Sequence, residues 1–394
     1  MTSGEPPTPP PPPPSAPSLH LADEPGAGLT ILEGEAHLLF AFDIGLSINL
    51  DEAERLLAGS GGVEGRESIG TAQRTPEYFE FRPAPLRIAR HLSALTLAGR
   101  AIDPKVECVV YDFGAVSLSY RVPIEGPLEN LVALADEVYE NPTLLADARR
   151  QVEAVAAQIA AAVRRPGISP LVEDYVVYHA RHVEAPGGLS GCLHASRQTL
   201  ARVLRAERGP LSEQESAEAL HAMMSYSPTD AVIVDWNAAL VIQEPAADIL
   251  TVLEFANVEL LEVRFLDDKL DAMLDRSYDD SLLDATPRHG RAKNTDMRRI
   301  ASLQMDAALL FESINNALKL LGDQYLARVY RLAAQRFHLE GWDQSIQRKV
   351  STLEGIYRKL ADDRATRRME VLEWIIIALF VVSILLPFIT NAAK

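Results

Sequence analysis

The strongest constraint on this chain is its last stretch, MEVLEWIIIALFVVSILLPFITNAAK. From Val371 to Ile389 the only charged side chain is Glu373. A helix of that length rises about 28 Å at ~1.5 Å per residue, close to the hydrocarbon thickness of a bilayer. Trp374 stands where an interfacial aromatic belongs, Ile375, Ile376 and Ile377 continue the apolar block, and Pro387 falls in the last turn, where it disturbs few helix bonds. A buried core helix is the alternative; uniform hydrophobicity and terminal position weigh against it. Arg364, Arg367 and Arg368 precede the run and only Lys394 follows it. By the positive-inside rule the bulk of the chain stays in the cytoplasm and the C-terminus goes outside. The expectation is a tail-anchored, single-pass protein of a bacterial inner (plasma) membrane, with the spanning helix over 371–390.

The other end, MTSGEPPTPPPPPPSAPS, lacks the basic start and apolar run of a signal peptide and is not an arginine-rich transit sequence. Consecutive prolines favour polyproline II and cannot pack a core, so residues 1–33 are expected to be a disordered tail. The net charge is −17, with pI near 5.0, which disfavours nucleic acid as the main partner. The two cysteines, Cys108 and Cys192, make neither a disulfide framework nor a four-cysteine zinc site.

Upstream of the apolar run, Phe311, Ile314, Leu318, Leu321, Tyr325, Arg328 and Leu332 alternate spacings of three and four, as do Ile346, Val350, Leu353, Tyr357 and Leu360. Both are heptad-like, coiled-coil seams. HLEGWDQS separates them, with Gly341 as a helix stop and Asp343 or Ser345 as a cap. The pattern predicts a helical hairpin stalk over 295–370 whose arms pack on each other, leaving a face for a homo-oligomer.

Residues 34–285 carry the remaining fold. AHLLFAFDIGLSINL reads as a strand, VECVVYD and AVSLSYRVP as a hairpin, and 127–164 as helical. VEDYVVYHARHV is a further strand, followed by helices near 196–206 and 212–223, the hairpin AVIVDWNAALVIQE, and a long helix over 246–276. The two hairpins align residue by residue: Asp112, Phe113 and Gly114 match Asp235, Trp236 and Asn237. Gly and Asn tolerate positive φ, and each Asp can accept hydrogen bonds from its turn backbone. The expectation is an α+β module duplicated as strand–helix–hairpin–helix, about 34–165 and 170–276. Its sheet is mostly antiparallel with helices on one face.

Chemistry is not legible in motifs. Asp112-Phe113-Gly114 lacks the glycine-rich loop, strand lysine and catalytic loop of a kinase. His179 and His182 are three apart on a strand and face opposite ways, and Cys192 and His194 lack further zinc ligands. The loop APGGLSGCLHASRQTL has no lysine after its glycines, so a flexible connection with Ser196 as helix cap is favoured over an anion cradle. Asp267, Asp271 and Asp275 share a helix face, read as solvated. No catalytic, cofactor or metal site is assigned.

The hairpin with its Asp-Phe-Gly turn, the VEDYVVY strand, the helix FANVELLEVRFLDDKLDAML and the terminal RRMEVLEWIIIALFVVSILL together resemble the required-for-meiotic-nuclear-division family, YagE-like, a domain of unknown function. The resemblance covers about 36–390 and implies a membrane-anchored protein whose mitochondrial members support translation of organelle-encoded membrane proteins. It implies no catalytic residues. The functional expectation is an adaptor that holds a protein partner, such as translation or insertion machinery, at the bilayer's cytoplasmic face. The alternative is an enzyme or ligand-binding protein with a pocket near 185–197.

Overall fold

The run AHLLFAF is apolar at nearly every position because it lies at the centre of a sheet covered on both faces. The computed structural model describes residues 28–58, 63–66, 84–91, 95–283 and 324–392, with single positions at 305 and 308. The main sheet has nine strands. They are β1 (Thr30–Asp43), β2 (Val63–Arg66), β3 (Leu86–His91), β4 (Lys105–Val110), β5 (Ala115–Pro127), β6 (Val172–Glu184), β7 (Met223–Met224), β8 (Ala231–Val234) and β9 (Ala238–Ile242). Their order is β7-β8-β9-β6-β1-β5-β4-β3-β2. At the centre, β1 pairs antiparallel with β6, from Thr30 opposite Glu184 to Phe42 opposite Val172, and with β5, from Thr30 opposite Pro127 to Asp43 opposite Ala115.

Alternation then divides the apolar residues between two cores. Even positions of β1 (Ala36, Leu38, Phe40, Phe42) join one core. It is closed by α1 (Leu50–Ala58), α2 (Asn130–Val138), α3 (Pro142–Gln158), α4 (Leu189–Ala195) and α5 (Arg197–Leu204). The short α6 (Glu213–Ala219) packs beside α5. The odd positions Leu39 and Ala41 join the other core, with α7 (Ala247–Leu283), α8 (Gln324–Arg336) and α9 (Leu339–Ala392). The start of α3 shows its local cause. Asn141 Oδ1 accepts from the Thr143 and Leu144 N–H groups at 3.0 and 3.1 Å, and Pro142 follows as the first helical residue.

Several expectations are corrected here. The α+β sheet is mostly antiparallel, with one parallel pair, but helices cover both faces, giving three layers rather than helices on one side. The two hairpins also break the expected duplication. β5 runs antiparallel to β1, whereas its counterpart β9 runs parallel to β6, Val176 opposite Ala238 through Ala180 opposite Ile242. A repeated unit would keep one direction; here α4–α6 carry the chain across a face before β8 and β9 return, so β9 arrives parallel.

The expected spanning helix is also corrected: among the described residues no helix is long and apolar enough to cross a membrane. Residues 371–390 are the far part of α9, a 54-residue helix that starts in the protein core and passes through a charged segment first. Gly341 does not stop a helix. The break falls at His338 (φ 55°), and α9 resumes at Leu339. The two arms lie on α7 rather than mainly on each other. In α8 the buried stripe is Leu326, Val329 and Ala333, one residue along from the expected Tyr325, Arg328 and Leu332, with Phe337 buried just past the helix end. Most of 284–323 and the proline-rich segment to residue 27 lie outside the described residues.

Candidate binding cavity on the sheet face

Period-two alternation also builds the site. Toward one end of β1, β5 and β6 the odd-numbered Leu39, Ala41, Ala115, Tyr175 and Val177 join the apolar core against α7; toward the other end the odd-numbered side chains are Glu35 and His37, Arg121, and His179 and Arg181. Register sets His37 opposite Arg121 and Glu35 opposite His179, while Glu107 of β4 lies opposite Ser119 of β5. The first turns of α7, with Leu250, Thr251 and Glu254, complete a cavity of about 330 Å³. Arg87 Nη2 donates to Thr251 Oγ1 at 3.3 Å and ties that helix to the sheet.

The charges form two groups. On the β3–β5 side, Glu107 lies between Arg87 (3.6 Å) and Arg121 (3.5 Å). On the β1–β6 side, Arg181 lies between Glu35 (2.9 Å) and Glu244 (3.9 Å). Just outside the lining, Asp103 pairs with Arg121 at 3.1 Å and Glu33 with Arg181 at 3.2 Å. Between the groups sit His37 and His179, ring centroids 6.2 Å apart. Burial, then His179, Arg121 and Arg181, push the His37 pKa down to about 3, so this ring is neutral at physiological pH. His179 Nε2 donates to the Gln243 carbonyl at 2.9 Å, which in the neutral ring leaves Nδ1 as the acceptor. His179 Nδ1, His37 Nε2 and Arg121 Nε are buried and have no hydrogen-bond partner among the described residues. Such atoms are uncommon in native interiors, and these three residues line one cavity.

A second cavity, of about 410 Å³, is bounded by Leu189, Leu193, His194, Arg197, Met223 and Ile233, and so includes part of the 185–197 segment. Ser196 does not cap α5 with its side chain; its Oγ accepts the Leu29 N–H at 3.3 Å. Among the described residues no group of three or more His, Cys, Asp or Glu is placed to hold a metal ion.

The residues singled out in the sequence lie elsewhere. Asp112 and Gly114 are in the β4–β5 turn. Gly114 has φ 110°, and a Cβ there would meet the Gly45 carbonyl oxygen at 1.8 Å, so only glycine fits. Backbone N–H groups of Asp112 and Phe113 hydrogen-bond to the Asp112 carboxylate, although burial is the larger effect and raises its pKa. Asp235 is fully buried between β8 and β9, where Arg205 Nε (2.9 Å) and Arg336 Nε (2.6 Å) both donate to it. Asn237 accepts the Val176 N–H through its backbone carbonyl at 3.3 Å. Glu373, Trp374, Ile375, Ile376 and Ile377 are exposed on α9; the side chains of Arg364, Arg367, Arg368 and Pro387 lie outside the described residues. The lining residues were missed, except that His179 was weighed and set aside. Their one signal was a polar residue breaking an apolar strand at odd positions: His37 in AHLLFAF, Arg121 in SLSYRV, His179 and Arg181 in VVYHAR.

Comparison with known proteins supplies a family but no activity. No solved structure matches. The chain is 24% identical over 221 residues to the uncharacterized protein MJ0711 of Methanocaldococcus jannaschii, covering 55% of this chain and 66% of that relative, just under two thirds of its length. The resemblance to the required-for-meiotic-nuclear-division family is corrected by these matches, none of which leads there. A family model described as "Uncharacterized protein MJ0711, N-terminal domain" matches residues 33–248, more than half of the chain and nearly all of the cavity's lining. On that match, the chain belongs to the MJ0711 N-terminal domain family.

Proposed function

We propose that this protein binds a small polar molecule in the cavity between the sheet and the start of α7. The observation that supports it is the set of buried, unpartnered polar atoms on His37, His179 and Arg121 in a cavity of about 330 Å³, within the usual range for small-molecule sites. Maintaining three guanidiniums and four carboxylates among one cavity's lining residues is costly unless they recognise something, because apolar residues of similar size would pack there more cheaply. Histidine-selective nitrogen NMR tests this: a soluble metabolite that binds here shifts the ring resonances of His37 and His179, and a saturating metabolite screen that moves neither would sink the proposal.

A partner-holding role is the second reading. It is supported by the exposed apolar side chains of α9, among them Leu372, Trp374, Ile376 and Leu379, which mark an association surface. Cross-linking in cells followed by mass spectrometry should recover a stoichiometric partner, a second copy included; recovery of none counts against this role.

A further inference from the structure

Resting on the cavity reading above, we infer that the ligand is a small organic amine, an ammonium on a short apolar body, bound with its charge on the β1–β6 side of the cavity. The argument is a surplus of carboxylates over cations on that side. Arg181 has three carboxylates around it: Glu35 at 2.9 Å, Glu33 at 3.2 Å and Glu244 at 3.9 Å. Glu35 and Glu244 line the cavity, and among the described residues neither pairs with another guanidinium or ammonium. Imidazoles approach them instead, His37 at 3.9 Å from Glu35 and His179 at 3.7 Å from Glu244. The His37 ring is neutral, and His179 Nε2 donates to the Gln243 carbonyl. A second observation points the same way. His179 is only 4% exposed and lines the cavity, and its Nδ1, an acceptor in the neutral ring, has no hydrogen-bond partner among the described residues. An ammonium carries three donors and no acceptor, so it satisfies carboxylates and an imidazole nitrogen together.

The remaining charges of the wall argue against anions. Arg87 pairs with Glu107, and Arg121 with both Glu107 and Asp103. With Arg181 shared among three carboxylates, every guanidinium of the lining has a resident partner, so a phosphate or carboxylate ligand would have to displace one. A bare metal ion has no place either, because among the described residues no group of three or more His, Cys, Asp or Glu is placed to hold one. The rest of the lining matches an apolar body, with Leu39, Ile88, Val177, Pro245 and Leu250. A cavity of about 330 Å³ lies at the lower end of the range for small-molecule sites, which limits that body to a short chain or a single ring.

Glu35 and Glu244 provide the test, because both side chains are partly exposed and amides of the same shape leave the core intact. Titration calorimetry on the full chain would use four panels: primary alkyl and arylalkyl amines, the alcohols with the same bodies, the carboxylic acids with the same bodies, and magnesium and calcium chloride. The expected result is saturable binding by at least one amine, with its alcohol and its acid each weaker by about tenfold or more, and an affinity that falls as salt is raised. The double variant Glu35→Gln, Glu244→Gln should weaken that amine by about tenfold or more and leave the alcohol unchanged. If an alcohol, an acid or a metal ion binds as tightly as any amine, or the double variant binds the amine like the wild type, the ligand class is wrong while the cavity reading stands. The class is equally wrong if no panel binds while a soluble metabolite moves the His37 and His179 resonances. If no panel binds and those resonances also stay still in the metabolite screen, the cavity reading itself fails.

Discussion

Glu259 shows at the scale of one residue how far burial moves a charge in this protein. It lies on α7, buried, and Tyr330 donates to its Oε2 at 2.7 Å. Burial raises its pKa from the ordinary 4.5 to about 7, against the opposing effect of the Tyr330 hydrogen bond. The folded state therefore holds this proton more tightly than the unfolded chain. Its contribution to stability is complete below pH 4.5 and is lost as pH rises to about 7, at up to ~1.4 kcal/mol per pH unit. Burial drives Asp43 and Glu173 to about 7 in the same direction. His37 works oppositely: its contribution is present above pH 6.5 and is lost as pH falls to about 3. Urea unfolding of Glu259→Gln between pH 5 and 7 should lose less stability per pH unit than the wild type, by up to ~1.4 kcal/mol. An unchanged slope contradicts the assignment. Asp235 marks the limit of reading single residues. Sequence suggests a turn acceptor, but the carboxylate is a buried hub between Arg205 and Arg336, the second about a hundred positions away. Nothing local to AVIVDWNAAL signals that partner.

Elements were legible where their own turns and caps decide them. Runs of β-forming residues place β4 and β5 close to where they are found, while β1 lies at 30–43 rather than 36–50, and the stretch read as one helix over 127–164 is two, with Asn141-Pro142 starting the second. Packing partners were not legible. The heptad-like spacing of α8 and α9 is real, but it reports a buried stripe and not what covers it. Both helices lie on α7, and Lys349 of α9 pairs with Asp267 and Asp271 of α7 at 2.8 and 2.6 Å, so two members of an acidic face read as solvated hold another helix. In α8 the stripe moved by one residue, because Val329 and the small Ala333 allow the close approach that Arg328 would block. Leu353→Ala in α9 should therefore cost ~2–5 kcal/mol in denaturant unfolding. Arg328→Ala should stay within about 0.5 kcal/mol. The reverse order would show that the arms pair through the seam first read from the sequence.

For the whole molecule, the reach of a sequence pattern stops where direction and sign matter. Aligned hairpins suggested a repeat, yet strand direction relative to the neighbouring central strand is a property of the connection, not of the hairpin. The apolar C-terminal run likewise reads differently as the end of a helix rooted in the core. The cavity was hidden for the same reason: its charged residues come from β1, β3, β4, β5, β6, the segment leading into α7 and α7 itself, and only the assembled fold brings them to one place. That these groups form a binding cavity for a small polar molecule is the central claim. Ring-nitrogen NMR of the full chain, with the histidines labelled, tests it most directly as soluble metabolites are added. Shifts at His37 and His179, with His182 and His194 unmoved, are predicted. Saturable movement at His194 alone would place the ligand in the second cavity and contradict the account.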